Sequence, residues 1–414
     1  MANSNKVLDM IANEALAIAH EKATFLNTID RQYDETFKWE GPHKGGQTLR
    51  VRLPNQYTRR QGSRVMDVQD QNERTSSITV ATQDGVDMRF NSAELTLEVN
   101  DPKQVERFSK RYIEPAMASL VSGIESDVIT ACTKKTFNLV GSAGTVVGAS
   151  GDISALFNAR ARLNKMLAPT ADRAYQIDST TMASIVNGKT GLFHPDTQVK
   201  KAFTEGFYGR AAGAEFYENE RMWTMTNGSD VTGTTDAAAG VTDGGTTLSA
   251  DTASPVTYTV GQVFTIAGVY ACHPETKQSL GYLQQFTNTA GTGSGGDMTI
   301  SPATYLTGPY QNVCSATSTQ LATTDFDSKT LTAVGSASTG YLQNLMYHKD
   351  AYQFVTADLP LMDDAAKCVR KVMDGLSIRV WMASDIRNDE LLVRLDILYG
   401  HAALRPEWAT RITN

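Results

Sequence analysis

Between Arg221 and Arg370 the chain contains no arginine. Residues 222–340 carry eight acids (Asp230, Asp236, Asp243, Asp251, Glu275, Asp297, Asp325, Asp327) against two lysines, Lys277 and Lys329, so this block holds −6 of the total formal charge of −7. It is dense in Thr, Ser, Gly and Ala, as in NGSDVTGTTDAAAGVTDGG and TNTAGTGSGGD. A shift of that kind marks an insertion or a domain boundary. Between the polar runs lie β-type segments at 258–269 (YTVGQVFTIAGV) and 280–287 (LGYLQQFT). Residues 223–340 therefore read as a small all-β module with long turns.

The rest of the chain is organised differently. Val7, Leu8, Ile11, Ala15 and Ile18 have helical spacing, with Ser4 as a cap. From Gly41 to Val65 there are six basic residues (Lys44, Arg50, Arg52, Arg59, Arg60, Arg64) and no acid. Residues 48–53 alternate, with Leu49, Val51 and Leu53 on one face and Arg50 and Arg52 on the other. A second alternating run, 76–82, ends at Gln83-Asp84-Gly85, a turn signal. The two strands bracket a polar tip, Asn55 to Arg74, and such a hairpin is stable only against something else.

Asn100, Asp101 and Pro102 then open the most regular helical pattern: Val105, Phe108, Tyr112, Ala116, Leu120, Ile124, Val128 and Cys132 at spacing 3–4. Running to Lys135, this helix would be on the order of 50 Å long, with an interior kink at Pro115. A helix over 153–167, a strand at 175–177 and a short helix capped by Asp178 follow. Alternation returns at 376–381 and 391–399. The fold class is α+β.

Composition excludes several classes. No run of 18 apolar residues occurs, so no membrane span is expected. The start, MANSNKVLDMIANEAL, does not read as a secretory signal. Cys132, Cys272, Cys314 and Cys368 show no disulfide-framework or C-x-x-C spacing, which fits a reducing compartment. Ala183-x4-Gly188-Lys189-Thr190 meets a relaxed phosphate-loop pattern, but Ser184-Ile185-Val186-Asn187 is not glycine-rich, and a helix ended by Gly188 fits better. The six histidines (His20, His43, His194, His273, His348, His401) have no metal-ligand spacing, and Cys272-His273 would point to opposite faces of a strand. Asp363-Asp364 are expected at the N-terminus of a helix, not as an acid/base pair. We expect no catalytic, cofactor-binding or metal residues and no cofactor.

Several stretches, in order, resemble tailed-bacteriophage major capsid proteins with the HK97-type fold, specifically the P22 coat-protein group. They are ITVATQDGVDMRFNSAELTLEVNDPKQVERFSKRYIEPAMASLVSGIESDV (78–128), EGFYGRAAGAEFYENERMW (205–223), GQVFTIAGV (261–269), NLMYHKDAYQFVTADLPL (344–361) and VRLDILYGHAALRPEWA (393–409). The resemblance implies an N-terminal arm (1–46), an extended loop (47–82) and a peripheral domain (83–140) with a spine helix (100–135). It further implies a first part of the axial domain (141–222), an inserted β-barrel (223–340) and a return to axial and peripheral domains (341–414).

By the same resemblance the chain self-assembles, as hexamers and pentamers, into an icosahedral virion shell around double-stranded DNA. Assembly in the host cytoplasm through a procapsid, a separate scaffolding protein, a portal protein and no membrane partner are also implied. Arg50, Arg52, Arg59, Arg60 and Arg64, facing an acidic insertion, suggest a subunit interface. A solvated edge with intramolecular partners and contact with packaged DNA are the alternatives. Pro115 is either a flexing point during shell expansion or a static kink. The functional alternative is a carbohydrate- or receptor-binding surface protein that uses the β module.

Overall fold

The computed structural model describes residues 15, 17–18, 23–31, 48–60, 62, 64–66, 68–69, 73–91, 109–188, 210–236, 241–251, 256–291, 297–361, 367–373 and 376–414. The expected helix over residues 7–18, the start of the spine helix and Asp363-Asp364 lie largely or wholly outside them. Two compact units share the chain: residues 1–51, 76–128 and 352–402 form the first, and 52–75, 129–351 and 403–414 the second.

The first unit is built on an antiparallel sheet in the order Thr82–Asn91, Glu390–Ala403, Leu376–Asp385, Lys367–Met373, with Tyr352–Ala357 also paired to Glu390–Ala403. Period-2 alternation puts Ile378, Val380, Val393, Leu395 and Ile397 inside. Helix α1, Glu114–Lys135, begins in this unit and buries Leu120, Ile124 and Val128 of the expected 3–4 stripe; Met117 and Val121 beside them are buried too, while Ala116 is only partly so. Asp396 is fully buried and holds two arginines, Arg379 Nη2 at 2.6 Å and Arg394 Nε at 2.7 Å. A buried carboxylate left unpaired would be costly, and the two guanidinium groups supply its partners. From the arm, residues 23–31 pack here: Phe25 N–H donates to buried Glu125, and Asp30 bridges Gln353 in parallel.

The second unit has a mixed sheet in the order Leu139–Val140, Ala409–Thr413, Gly340–His348, Arg173–Ile177, Ala214–Glu218, Arg210–Ala211. Helices α2 (Ser154–Lys165) and α3 (Ser179–Gly188) share a core with this sheet through Leu156, Leu163, Met182 and Ile185, around the stacked rings of Tyr175 and Phe216 (4.4 Å). Asp178 caps α3 by accepting the Thr180 N–H at 3.0 Å.

From this sheet the chain runs into a closed barrel. Its strands follow the order Gly245–Ser249, Asp297–Thr304, Ser279–Ala290, Val263–Cys272, Thr330–Ala333, Thr232–Thr234. The ring returns to its start through the Thr235–Ala250 bridge and the bonds Asp236 N to Ser249 O and Asp251 N to Thr234 O, both 3.0 Å. Closure removes the exposed edges that a lone sheet of this length would present. Tyr258, Phe264 and Phe286 stack through its interior, with Ile266, Ile300 and Leu331.

Three local expectations are corrected. Gln83-Asp84-Gly85 is not a turn; it lies inside Thr82–Asn91, paired with Leu398, Ile397 and Asp396. The glycine serves close approach instead, since a Cβ there would stand 2.6 Å from Asp396 Oδ1 and 2.7 Å from the Leu395 carbonyl. The segment after Asp363-Asp364 is the strand Lys367–Met373, because seven consecutive pairings to Leu376–Asp385 override its helical composition. The helix before Pro115 is not α: Ser109–Ile113 is π-helical. The wider turn accommodates a proline that has no N–H for the fourth residue back.

Gly85→Ala should lower unfolding stability by about 1–3 kcal/mol, since its contact includes a backbone carbonyl. Gly123→Ala, in α1 with nothing within 4 Å of the added Cβ, should raise it by about 0.5–1 kcal/mol. Denaturant midpoints of the two variants would check this contrast, and equal shifts would refute it.

Candidate assembly interface

The second unit contains two features suited to subunit contact: the strap of residues 52–75 and the barrel. Thr48–Arg52 and Thr75–Thr79 form the ribbon that leads to the strap, with Leu49 and Val51 on the inward face and Arg50 and Arg52 exposed, as the alternation predicts. Arg59, Arg60 and Arg64 are exposed as well. Arg52 pairs with Glu73 at 3.3 Å and Arg60 donates to the Val65 carbonyl, so part of the basic run has intramolecular partners. Arg50 belongs to the first unit and the other four to the strap. Pro115 is exposed, at the second residue of α1.

Sequence reasoning passed over the arginine that makes the strap's aromatic contact. Arg74 lies 5.3 Å from the Tyr305 ring centre and 5.1 Å from that of Tyr310, both on the barrel. Tyr310 OH donates to Asn55 Oδ1 at 3.4 Å. The available signal was the aromatic spacing in TYLTGPY, around a Gly-Pro turn.

The barrel is fixed to the sheet at its neck and at its base. At the neck, Thr224–Thr226 runs antiparallel to Gly340–Leu342 within Gly340–His348. Asn227 Nδ2 donates to the Val334 and Ser336 carbonyls at 2.9 and 3.0 Å. Tyr341 OH accepts the Ser336 N–H at 2.8 Å, a bond that lowers the phenol's pKa by favouring its anion.

At the base stands Arg411, fully buried. Its Nη1 donates to the Gly261 carbonyl at 2.6 Å, and its Nη2 to the Lys134 carbonyl and to Thr287 Oγ1, both at 3.1 Å. Gln285 adds a reciprocal pair with Leu139, accepting its N–H at 2.8 Å and donating to its carbonyl at 2.9 Å. The barrel side chain thus substitutes for one more strand at the sheet edge.

The barrel's charge remains one-sided. Lys277 is half-buried, its Nζ on the Pro309 and Gln311 carbonyls at 2.5 and 3.3 Å, and burial lowers its pKa. Asp236, Glu275 and Asp327 are exposed. Two of the features set aside as chemistry, His273 and residues 183–188, have structural roles among the described residues. His273 Nδ1 accepts the Glu275 and Thr276 N–H groups at 3.2 Å, forming a turn. Residues 183–188 lie inside α3. Among the described residues no group of three or more His, Cys, Asp or Glu could hold a metal ion, and no helix is long and apolar enough to cross a membrane.

Residues 50–411 match the family described as P22 coat protein, gene protein 5. The chain belongs to the P22 coat protein family. It is a phage capsid shell protein of the P22 coat type, with a structural role. No curated protein is significantly similar to the chain. Similar solved structures include one from Mycobacterium phage Che8, at 10% identity and TM-score 0.49, covering 94% of this chain and 90% of that one. The capsid of Ralstonia phage GP4 shows 8% identity and TM-score 0.44, with 94% and 87% covered. The capsid of cyanophage P-SCSP1u shows 13% identity and TM-score 0.42, with 89% and 83% covered. It is the family match that decides.

Arg411→Met should cost about 2–4 kcal/mol, because the Gly261 carbonyl loses its charged donor inside the protein. Proteolysis at the barrel's neck and base should accelerate, whereas an unchanged cleavage rate would refute the clamp.

Glu407 gives a pH signature. Burial raises its carboxyl pKa, against lowering by Arg74 and Arg405. The folded state then binds this proton more tightly than the unfolded chain. Stability from this group is therefore fullest at low pH and falls as pH rises from the unfolded value, about 4.3, through the folded one. Glu407→Gln should raise the melting midpoint at neutral pH and lose that advantage below about pH 4. A pH-independent difference between variant and parent would contradict this assignment.

Proposed function

We propose that the chain forms the icosahedral shell enclosing double-stranded phage DNA, assembling as hexamers and pentamers through a procapsid with a separate scaffolding protein and a portal protein. The family match over residues 50–411 carries this reading. Two structural observations support it: an exposed strap with almost no interior of its own, and a rigidly held acidic barrel. Both present surface that a neighbour can cover, and closure lets many weak contacts act together.

In this reading the exposed arginines of the strap meet carboxylates of adjacent subunits. Exposed ion pairs are weak singly, on the order of 0.2–1 kcal/mol. Their effect arises from repetition around the shell, and it weakens as salt screens them. Moderate strength also allows misplaced subunits to dissociate.

Reversing Arg59 and Arg60 to glutamate should leave the subunit folded and prevent closed particles when it is expressed with its scaffolding protein. Circular dichroism and negative-stain electron microscopy would report the two properties. Normal shells from the double variant would remove these arginines from the interface. A parent chain that stays a small oligomer even with scaffold would overturn the shell reading itself.

A further inference from the structure

Two of the barrel's cysteines stand on facing strands. Val263–Cys272 runs antiparallel to Val313–Cys314, with Tyr270 opposite Cys314 and Ala271 opposite Val313. The Cys272 N–H donates to the Asn312 carbonyl at 3.0 Å, which carries the same register one step further. Side chains alternate along a strand, so residues 270 and 272 share a face with 312 and 314. Val269 and Val313 point the other way, into the barrel core. Cys272 and Cys314 are therefore diagonal neighbours on the outer face, and their thiols hydrogen-bond each other.

Both thiols are free and buried. A diagonal pair lies at the long end of what a disulfide spans, and the backbone here can supply the difference. Pairing of Val263–Cys272 with Ser279–Ala290 shifts register between Tyr270 and Cys272, and Val313–Cys314 is only two residues long. Neither strand is locked into a long regular ladder at its thiol. Cys272 also lines a cleft of about 230 Å³, with Phe137, Leu167 and Pro274 among its walls, whereas Cys314 has no exposed surface. A small molecule in that cleft meets Cys272 first.

Desolvation, and after it the neighbouring thiol, pushes the Cys272 thiol up to about 12; Lys277 acts against them. Burial raises Cys314 as well, opposed by its hydrogen bonds with Cys272 and Ser279. Little thiolate is present at neutral pH, so the pair reacts slowly and stays reduced while the chain folds.

We propose that Cys272 and Cys314 form a thiol–disulfide exchange site for small organic disulfides, and that oxidation closes a staple across the barrel. The Cys272 thiolate attacks one sulfur of the small disulfide, whose S–S bond breaks. A mixed disulfide forms on Cys272, and the first small thiolate leaves and takes up the Cys272 proton. Cys314 then attacks the Cys272 sulfur and expels the second small thiolate, which takes up the Cys314 proton. The cysteines lose two electrons, and the small disulfide is reduced to two thiols.

The bond closes the loop from 272 to 314, which carries Ser279–Ala290, Asp297–Thr304 and the turn with Tyr305 and Tyr310. Restricting the unfolded chain in this way makes the barrel harder to unfold. The timing rests on the shell reading proposed above: thiols stay reduced in the cell, and the staple forms in the released particle.

Incubation of the full chain with 2-hydroxyethyl disulfide, followed by mass-spectrometric peptide mapping without reduction, tests the site. The parent should gain a Cys272–Cys314 link and keep no adduct on either residue. Cys314→Ser should hold a mixed disulfide on Cys272, and Cys272→Ser should leave Cys314 unmodified over the same interval. Linking should accelerate about tenfold per pH unit between about pH 7 and 9, as the thiolate fraction grows. The linked chain should melt several degrees above the parent, and dithiothreitol should restore the parent midpoint.

A lasting adduct on Cys272 of the parent, with no link, would overturn the pairing, and this readout needs no variant to fold. No reaction at Cys272 across that pH range would overturn the site. Particles alkylated at the moment of lysis should show both thiols free, and a link already present there would overturn the timing. A chain that forms no closed particles would remove the shell reading and the timing, but leave the staple, which is read on the free subunit.

Discussion

The last turn of α1 has four carbonyls that its own helix cannot satisfy, and much of the second unit is arranged around them. Thr136 takes two, its hydroxyl donating to the Cys132 carbonyl at 3.0 Å and its N–H to that of Thr133 at 3.1 Å. The Lys134 carbonyl receives Arg411 and the Thr287 hydroxyl, and the Lys135 carbonyl receives the Ser301 hydroxyl at 3.4 Å. No glycine follows the helix to close it in the common way; Thr136 and Phe137 do. Barrel strands and the C-terminal strand supply the remaining donors. A cation at this end also meets the negative pole of the helix.

This arrangement couples seating of the barrel to folding of the sheet. A guanidinium buried against neutral acceptors is tolerable only when those acceptors are in place. Two of them, the Gly261 carbonyl and Thr287 Oγ1, come from the barrel, while Arg411 itself lies on a strand that pairs with Gly340–His348, along which the chain leaves the barrel. The insertion is therefore held by its base as well as by its paired neck. Its acidic surface acquires a fixed orientation on the second unit's sheet, where a flexible linker would have averaged the field. Electrostatics disfavours turning that surface toward phosphate.

Periodicity was the legible part of the sequence. Spacing of 3–4 located the buried stripe of α1, and alternation located Thr48–Arg52, Leu376–Asp385 and Glu390–Ala403, because these patterns answer to local geometry and one buried face. The composition shift located the barrel for the same reason. Features whose cause lies far along the chain were not legible. Gly85 looks like a turn until Asp396 is placed against it, and Lys367–Met373 looks helical until its partner strand is known. Arg411 looks like an outward charge on an alternating strand until Gly261, Thr287 and Lys134 surround it. Counting basic residues drew attention to Arg50 through Arg64. Arg74, which follows Glu73 outside that run, makes the aromatic contact instead. Net charge density tracks exposure, and exposure is a poor guide to which cation stacks on a ring.

A shell subunit has to be rigid in some places and exchangeable in others, and the two kinds of contact here differ in kind. The barrel is seated by hydrogen bonds to buried backbone groups, each of which would be costly to leave unmade. The strap rests on cation–π and amide contacts at partly exposed groups, which water can replace at little cost. The first kind resists any motion that does not unfold the helix end. The second yields more readily to any competing surface of similar chemistry.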